Sequence, residues 1–335
     1  MIIISIIVAV AFWQTRGDRD SLRHITLTTE PEGIMGTSCQ LVVVTRPVDE
    51  ELAVEALTAA ERVLRGIELE VSSWLEGSQI SLFNEASAGE DVALSDLSHT
   101  ILSHAREAWR ETGGAFDVTI RPLILLWRGS ADSQILPTTG EVTRAREASS
   151  WDLIDLRTGW ISKRADGAQV DLGGIAKGYA IDRAVEAMQA AGVEGGLVDV
   201  GGDLRVFGQP PDGRSWHVQI RDPAGSGVLS DLSIASGSVC TSGDYTRFNE
   251  ISGVRYSHII DPRTGQPVVD AVSVTVVATS ALDADIWATT LSVLGPDGIG
   301  SLPGSVEAMM IMQTGTSRER VTSSSFDTYL DRITP

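Results

Sequence analysis

Residues 171–182 read DLGGIAKGYAID: the paired glycines Gly173 and Gly174 open a loop, and a helix is expected to follow at once from Ile175. Glycine lets the backbone approach a ligand closely, and the free amides of a helix start favour phosphate. Lys177 adds a point charge. The spacing is neither that of a Walker loop nor that of a Rossmann fingerprint. Taken alone, the string therefore reads either as a tight turn or as a phosphate site of another kind. Its helix is expected to run to about residue 191, and another from about 282 to 294. Between them, short strands and Asx-rich turns mix with helices without strict alternation. That texture fits an α+β fold with mixed or antiparallel sheets better than a doubly wound parallel one.

Working toward the N-terminus, QLVVVT at Gln40–Thr45 is rich in β-branched residues and reads as an early strand. From Asp49 to Glu70, apolar side chains recur at Leu52, Ala56, Ala60, Val63, Leu64 and Ile67, one helical stripe facing a core. A second helix is expected from Asp96 to Thr112, stopped by Gly113. After Gly114 the reading is of short strands, glycines and turns, interrupted by only the two helices already named. The stripes are assigned to the core and given no chemistry.

Composition bounds the function. A chain of 335 residues, 42% hydrophobic and 21% charged, holds a core of ordinary size. A net charge of −19 excludes nucleic acid as a partner, since repulsion opposes a phosphate backbone. A phosphorylated ligand then needs local help from backbone amides, a lysine or a metal. Cys39 and Cys240 have no metal-ligand spacing and read as two buried thiols, with a long-range disulfide left open. The run Met1–Trp13 is apolar throughout. As a helix it reaches about 20 Å, short of the roughly 30 Å of a bilayer core. It reads as an export signal, with Ala9-Val10-Ala11 as a small-x-small cleavage pattern, or as a retained anchor associating with a membrane. Residues 1–24 are thus expected to be a signal or anchor segment with a polar linker, and 25–335 the folded domain, outside the cytoplasm.

Two further stretches carry chemistry. In ADIWAT, Asp285 and Thr289 are four apart on an expected helix, so both oxygens emerge on one face. A carboxylate beside a hydroxyl suits Mg²⁺ shared with a phosphate, and suits a buried capping contact equally. In SHIIDPRTG, His258 precedes the turn Asp261-Pro262-Arg263-Thr264-Gly265. A histidine titrates near neutrality and serves as acid, base or phosphate partner, though beside a turn it is often structural. A Ser-His-Asp hydrolase is disfavoured, because Ser257 and His258 would point apart on a strand and no G-x-S-x-G occurs.

In their order along the chain these stretches resemble the ApbE family, the FAD:protein FMN transferases. The matching blocks are Met35-Gly36-Thr37, SQISLFN at 78–84, GAFDVT at 114–119 with Pro122, Leu123 and Trp127, then DLGGIAKGYAID. They continue with Val200-Gly201-Gly202-Asp203, TSGDY at 241–245, SHIIDPRTG, and Asp285 with Thr289. The resemblance runs from about Met35 to at least Gly295.

The resemblance implies an ApbE-like α+β fold, two intimate subdomains with FAD in the cleft between them. It implies Mg²⁺ held by Asp285, Thr289 and the Ala176 carbonyl. Met35, Asn84, Lys177, Asp182 and His258 fall on the family's flavin-site positions. The implied reaction moves FMN from FAD onto a threonine of an acceptor flavoprotein, a subunit of a membrane redox complex, and releases AMP. Attack at phosphorus gathers negative charge on phosphate oxygens, which a cation and oriented donors stabilise. His258 or Asp182 is expected to take the hydroxyl proton. A metal-dependent FAD pyrophosphatase and a non-catalytic flavin carrier are the competing readings. Two departures stand out: no lipid-attachment cysteine lies within residues 1–38, and Asp199 precedes Val200-Gly201-Gly202 where many members carry asparagine.

Overall fold

The computed structural model describes residues 24–210, 213–223, 225, 227–243, 248–269, 271–314 and 317–330. The apolar run 1–13, the linker to residue 23 and the Asp244-Tyr245 pair of TSGDY lie outside the described residues.

The helices are α1 (Glu50–Val71), α2 (Gln79–Glu85), α3 (Asp96–Glu111), α4 (Arg121–Ser133), α5 (Thr139–Ala148), α6 (Ala176–Ala190) and α7 (Ala281–Leu294). Among the described residues, none is long and apolar enough to cross a membrane. Of these, α1, α6 and α7 pack on one face of an eight-stranded sheet. Its spatial order is Ile25–Thr29, Cys39–Thr45, Gly195–Val200, Asp203–Gly208, Gly237–Gly243, Ala271–Ala278, Glu307–Thr314, Ser317–Thr322, with every neighbouring pair antiparallel. The fold is α+β, as the mixed texture indicates.

Strand alternation sorts the core. Val274, Val276 and Met310 face α1, α6 and α7, while Val277 and Met309 face the other side. Both faces are apolar because both are covered. The far face carries the hairpin of Trp216–Arg221 with Val228–Ile234, whose Trp216, Val218 and Ile220 alternate inward over Phe326. The α1 stripe buries Ala53, Ala56, Ala60, Leu64 and Ile67, while α7 is buried on nearly all sides and so shows no stripe.

The structure corrects the reading of residues 121–148, where α4 and α5 stand in place of short strands; the short strands expected beyond them are present at Ile154–Arg157 and Trp160–Lys163. Within α4, the run Leu123-Ile124-Leu125-Leu126-Trp127 is apolar without a break, and its period is hidden. A signal for α5 was present: Thr138 and Glu141 form a reciprocal capping box. These two helices pack with the hairpin Phe248–Ile251/Val254–Ser257 through Leu123, Trp127, Val142, Ile251 and Ile260. Trp127 Nε1 donates to the Gly265 carbonyl at 2.9 Å, tying the DPRTG turn to α4. This smaller body faces the main sheet and its helices across a cleft.

Candidate active site

The cleft holds a cavity of about 1320 Å³. Its near wall is the DLGG loop. Asp171 N donates to Val118 O at 2.7 Å, and the Asp171 carboxylate accepts from Ser73 Oγ (2.7 Å), Gly173 N (2.9 Å) and Arg121 Nη1 (3.3 Å). The amides of Ile175 and Ala176 both return to the Leu172 carbonyl, so the loop is a tight turn that feeds α6. It is also open to the cavity, where Gly173 and Gly174 form part of the wall.

Behind the loop α6 crosses α7. Gly178 is the point of closest approach, and its amide donates to Asp285 Oδ2 at 3.0 Å. Lys177 reaches between two buried carboxylates, pairing with Asp203 and lying 3.3 Å from Asp285 Oδ1. Asp203 is fixed in turn by Thr241 N at 2.9 Å. Burial alone would depress Lys177, but Asp203 and Asp285 outweigh it and hold the ammonium above its ordinary value. Burial raises Asp285 above its ordinary value, with Asp203 adding to the effect and Lys177 opposing it. The Cys240 thiol nearby is pushed up by burial and by the same two carboxylates, so it stays protonated.

Two carboxylates against one lysine leave an excess negative charge, and this is the observation that fits a cation. Asp285 and Thr289 line the same cavity, one helical turn apart. Gly174 keeps the space before Thr289 clear, since a Cβ there would lie 3.1 Å from Thr289 Oγ1. The donors are hard oxygens, the set Mg²⁺ takes when it keeps sites for water and phosphate. Among the described residues no group of three or more His, Cys, Asp or Glu side chains forms a closed metal cage.

His258 also lines the cavity. Trp74, which the sequence reading did not single out, lies half-exposed in the wall with the guanidinium carbons of Arg121 and Arg128 4.4 and 4.3 Å from its ring centroid. A cation-backed indole offers a face to a planar ring. Only the SSW placement beside SQISLFN signalled it.

Asp117 also lines the cavity, and burial lifts its carboxyl from 3.8 to about 6 against two hydrogen bonds from Thr119. A carboxyl raised in this way supports the fold fully only below its ordinary value, and that support is lost as pH climbs through about 6. At about 1.4 kcal/mol per pH unit, ionised Asp117 costs up to about 3 kcal/mol at neutrality. Asp117→Asn, which still accepts from Thr119, is therefore expected to melt higher than the parent at pH 7. Melting curves at about pH 4 should show that advantage gone.

Of the residues singled out from sequence, Lys177, His258, Asp285 and Thr289 meet at this cavity, and Met35, Asn84, Ala176 and Asp182 do not form its wall. Ala176 is the first residue of α6, adjacent to Lys177. Met35 and Gly36 (φ 49° and 65°) are the centre of a tight turn closed by Thr37 N to Ile34 O, and Gly36, Thr37 and Ser38 face the cavity in place of Met35. A left-handed methionine is uncommon and strained. Asn84 is buried and spent on the Val170 backbone, donating to its carbonyl at 2.9 Å and accepting from its amide at 2.8 Å. It steadies the approach to Asp171 from behind. Asp199 accepts from Gly202 N at 2.8 Å and so closes the Gly201-Gly202 turn. Both cysteines are free and buried.

Comparison with known proteins places this geometry. The sequence profile of the ApbE family matches residues 35–310. The FAD:protein FMN transferase of Vibrio cholerae is 33% identical over 282 residues, covering 82% of this chain and 84% of the relative. That of Salmonella typhimurium is 32% identical over 307 residues, covering 88% and 87%. Among solved structures, the flavin transferase ApbE from Vibrio cholerae superposes with a TM-score of 0.79 at 30% identity, covering 92% of this chain and 99% of the other. The ApbE protein of Thermotoga maritima gives 0.80 at 29% identity, covering 91% and 99%.

Proposed function

The chain belongs to the ApbE family, and from that premise we propose that it is a Mg²⁺-dependent FAD:protein FMN transferase working outside the cytoplasm. It takes FAD as substrate, attaches the FMN half to a threonine of an acceptor flavoprotein, and releases AMP. The observation that carries this reading is the meeting of Lys177, Asp285, Thr289 and His258 on one cavity. In a chain of net charge −19, a pyrophosphate needs such local help. The cavity also exceeds the roughly 300–1,000 Å³ of ordinary small-molecule sites, leaving room for an acceptor segment beside the dinucleotide. The apolar run Met1–Trp13 supports export, and with it an acceptor subunit in a membrane redox complex.

Asp285 and Thr289, with the Ala176 carbonyl that the family resemblance adds, would hold Mg²⁺. When bound, the ion neutralises charge on the phosphate oxygens and polarises the phosphorus under attack. The chain's own groups do the rest. Lys177, held by Asp203, presents a fixed positive charge to the phosphates. The amides of Asp171, Gly173, Ile175 and Ala176 are already spent on protein acceptors, so the start of α6 favours the same anion through its dipole. His258 accepts the proton of the acceptor hydroxyl at a ring nitrogen. As the threonine Oγ–P bond forms, the bridging P–O bond breaks and its electron pair leaves with AMP.

His258→Ala is expected to lower the rate by about 10²–10⁴, the usual worth of a positioned base. Undiminished transfer by that variant would remove the role. The reaction itself is tested by following AMP and labelled acceptor together, with Mg²⁺ and then with EDTA. Equal yields that vanish with EDTA support transfer, whereas AMP without label would indicate hydrolysis of FAD.

A further inference from the structure

Asp182 is buried at 4% exposure on α6, and none of the cavity wall belongs to it. Its Oδ1 accepts from Ala281 N at 2.9 Å and from Arg205 Nη1 at 2.6 Å, and its Oδ2 accepts from Leu282 N at 3.0 Å. Ala281 and Leu282 are the first two residues of α7, and the helix's own cap, Ser280, takes the third amide, that of Asp283, at 3.1 Å. The opening amides of a helix have no partner within it. Here two of the first three are satisfied by a carboxylate from a different helix.

We propose that Asp182 is a positioning residue that anchors the N-terminus of α7, the helix presenting Asp285 and Thr289, onto α6, the helix presenting Lys177. A carboxylate at a helix start is stabilised by the dipole as well as by the two hydrogen bonds. Arg205 balances the buried charge, and it stands two residues beyond Asp203 on the same face of one strand. That strand therefore supports both contacts between the helices, Lys177 through Asp203 and Asp182 through Arg205. Asp285 follows one turn after the anchored amides, so its carboxylate moves with them. With three donors on two oxygens and no place in the cavity wall, Asp182 is not the group that takes the acceptor's proton. The effect on catalysis rests on the transferase reading above; the anchor itself does not.

The experiment compares the full chain with Asp182→Asn and Arg205→Gln. Amide exchange is read at Ala281 and Leu282, Mg²⁺ affinity from the melting shift with the metal alone, and kcat/KM against pH with FAD and an acceptor. For Asp182→Asn, exchange at both amides should rise at least tenfold, and Mg²⁺ affinity should fall by roughly 10–100-fold, the usual effect of losing a group that orients a ligand. The pH profile should keep its shape, and excess Mg²⁺ should restore most of the rate. Arg205→Gln should move the same quantities less, and it carries the comparison if Asp182→Asn does not fold. Unchanged exchange and Mg²⁺ affinity overturn the proposal. They do so whether one limb of the pH profile is lost, which would make Asp182 the proton acceptor, or the variant matches the parent throughout. If the parent neither binds Mg²⁺ nor transfers flavin, the transferase reading fails, and exchange at the two amides still decides the anchor.

Discussion

Gly178→Ala is expected to lose about 3 kcal/mol of stability and, in whatever fraction folds, nearly all flavin transfer. A Cβ at Gly178 would stand 2.3 Å from the Ala281 carbonyl oxygen, 2.7 Å from its carbon and 2.9 Å from Asp285 Cβ. The first two are backbone atoms of α7 and cannot swing aside as a side-chain tip would. Relief requires α7 to move off α6, which carries Asp285 away from Lys177 and from the Gly178 amide it accepts. The roughly 1 kcal/mol that alanine gains over glycine within a helix is too small to compensate. Gly66 in α1 is the control, because nothing lies within 4 Å of a Cβ built there. Gly66→Ala should therefore stabilise by up to about 1 kcal/mol. Chemical denaturation of the two variants side by side checks both signs. Equal behaviour would show that the α6–α7 crossing is looser than the contact distances indicate.

The second large effect falls on chemistry and spares the fold. Asp285→Asn should keep close to the parent's stability while transfer drops by about a thousandfold or more, the scale of losing a principal charge-stabilising group. The substituted side chain retains the shape and can still accept from Gly178 N. Neutralising it leaves Lys177 and Asp203 as a one-to-one pair, which removes the excess buried charge. A carboxylate raised by burial and by a like charge is one the fold would do better without. Its presence is then explained by what it holds. Melting curves and initial rates on one preparation separate the two outcomes, and a large loss of stability would assign Asp285 a structural part instead.

What could be read in the sequence, and what could not, follows from sequence distance. The α1 stripe, the α6 start after Gly173-Gly174 and the Asp285/Thr289 spacing are local patterns, and each falls where it was expected. Asp203 ended a turn block and gave no sign that it would hold Lys177, because the two meet only when the hairpin through Gly201-Gly202 folds beside α6. Asn84 and Asp182 sat in diagnostic strings and looked like ligand residues. Asn84 finds its partners 86 positions away at Val170, and Asp182 finds its own 99 and 100 positions away. Both are polar residues that the fold uses behind the site. The helix α4 is hidden by an unbroken apolar run, whereas α5 carries a local start signal in the Thr138–Glu141 capping box.

The measurement to make is the intact mass of a threonine-bearing acceptor domain after incubation with the full chain, FAD and Mg²⁺, with AMP assayed in the same tube. The expected result is one FMN joined to the acceptor threonine, an equal amount of AMP, and neither product with Asp285→Ala. FAD converted to AMP and free FMN over an unmodified acceptor, or FAD bound and left intact, would contradict it.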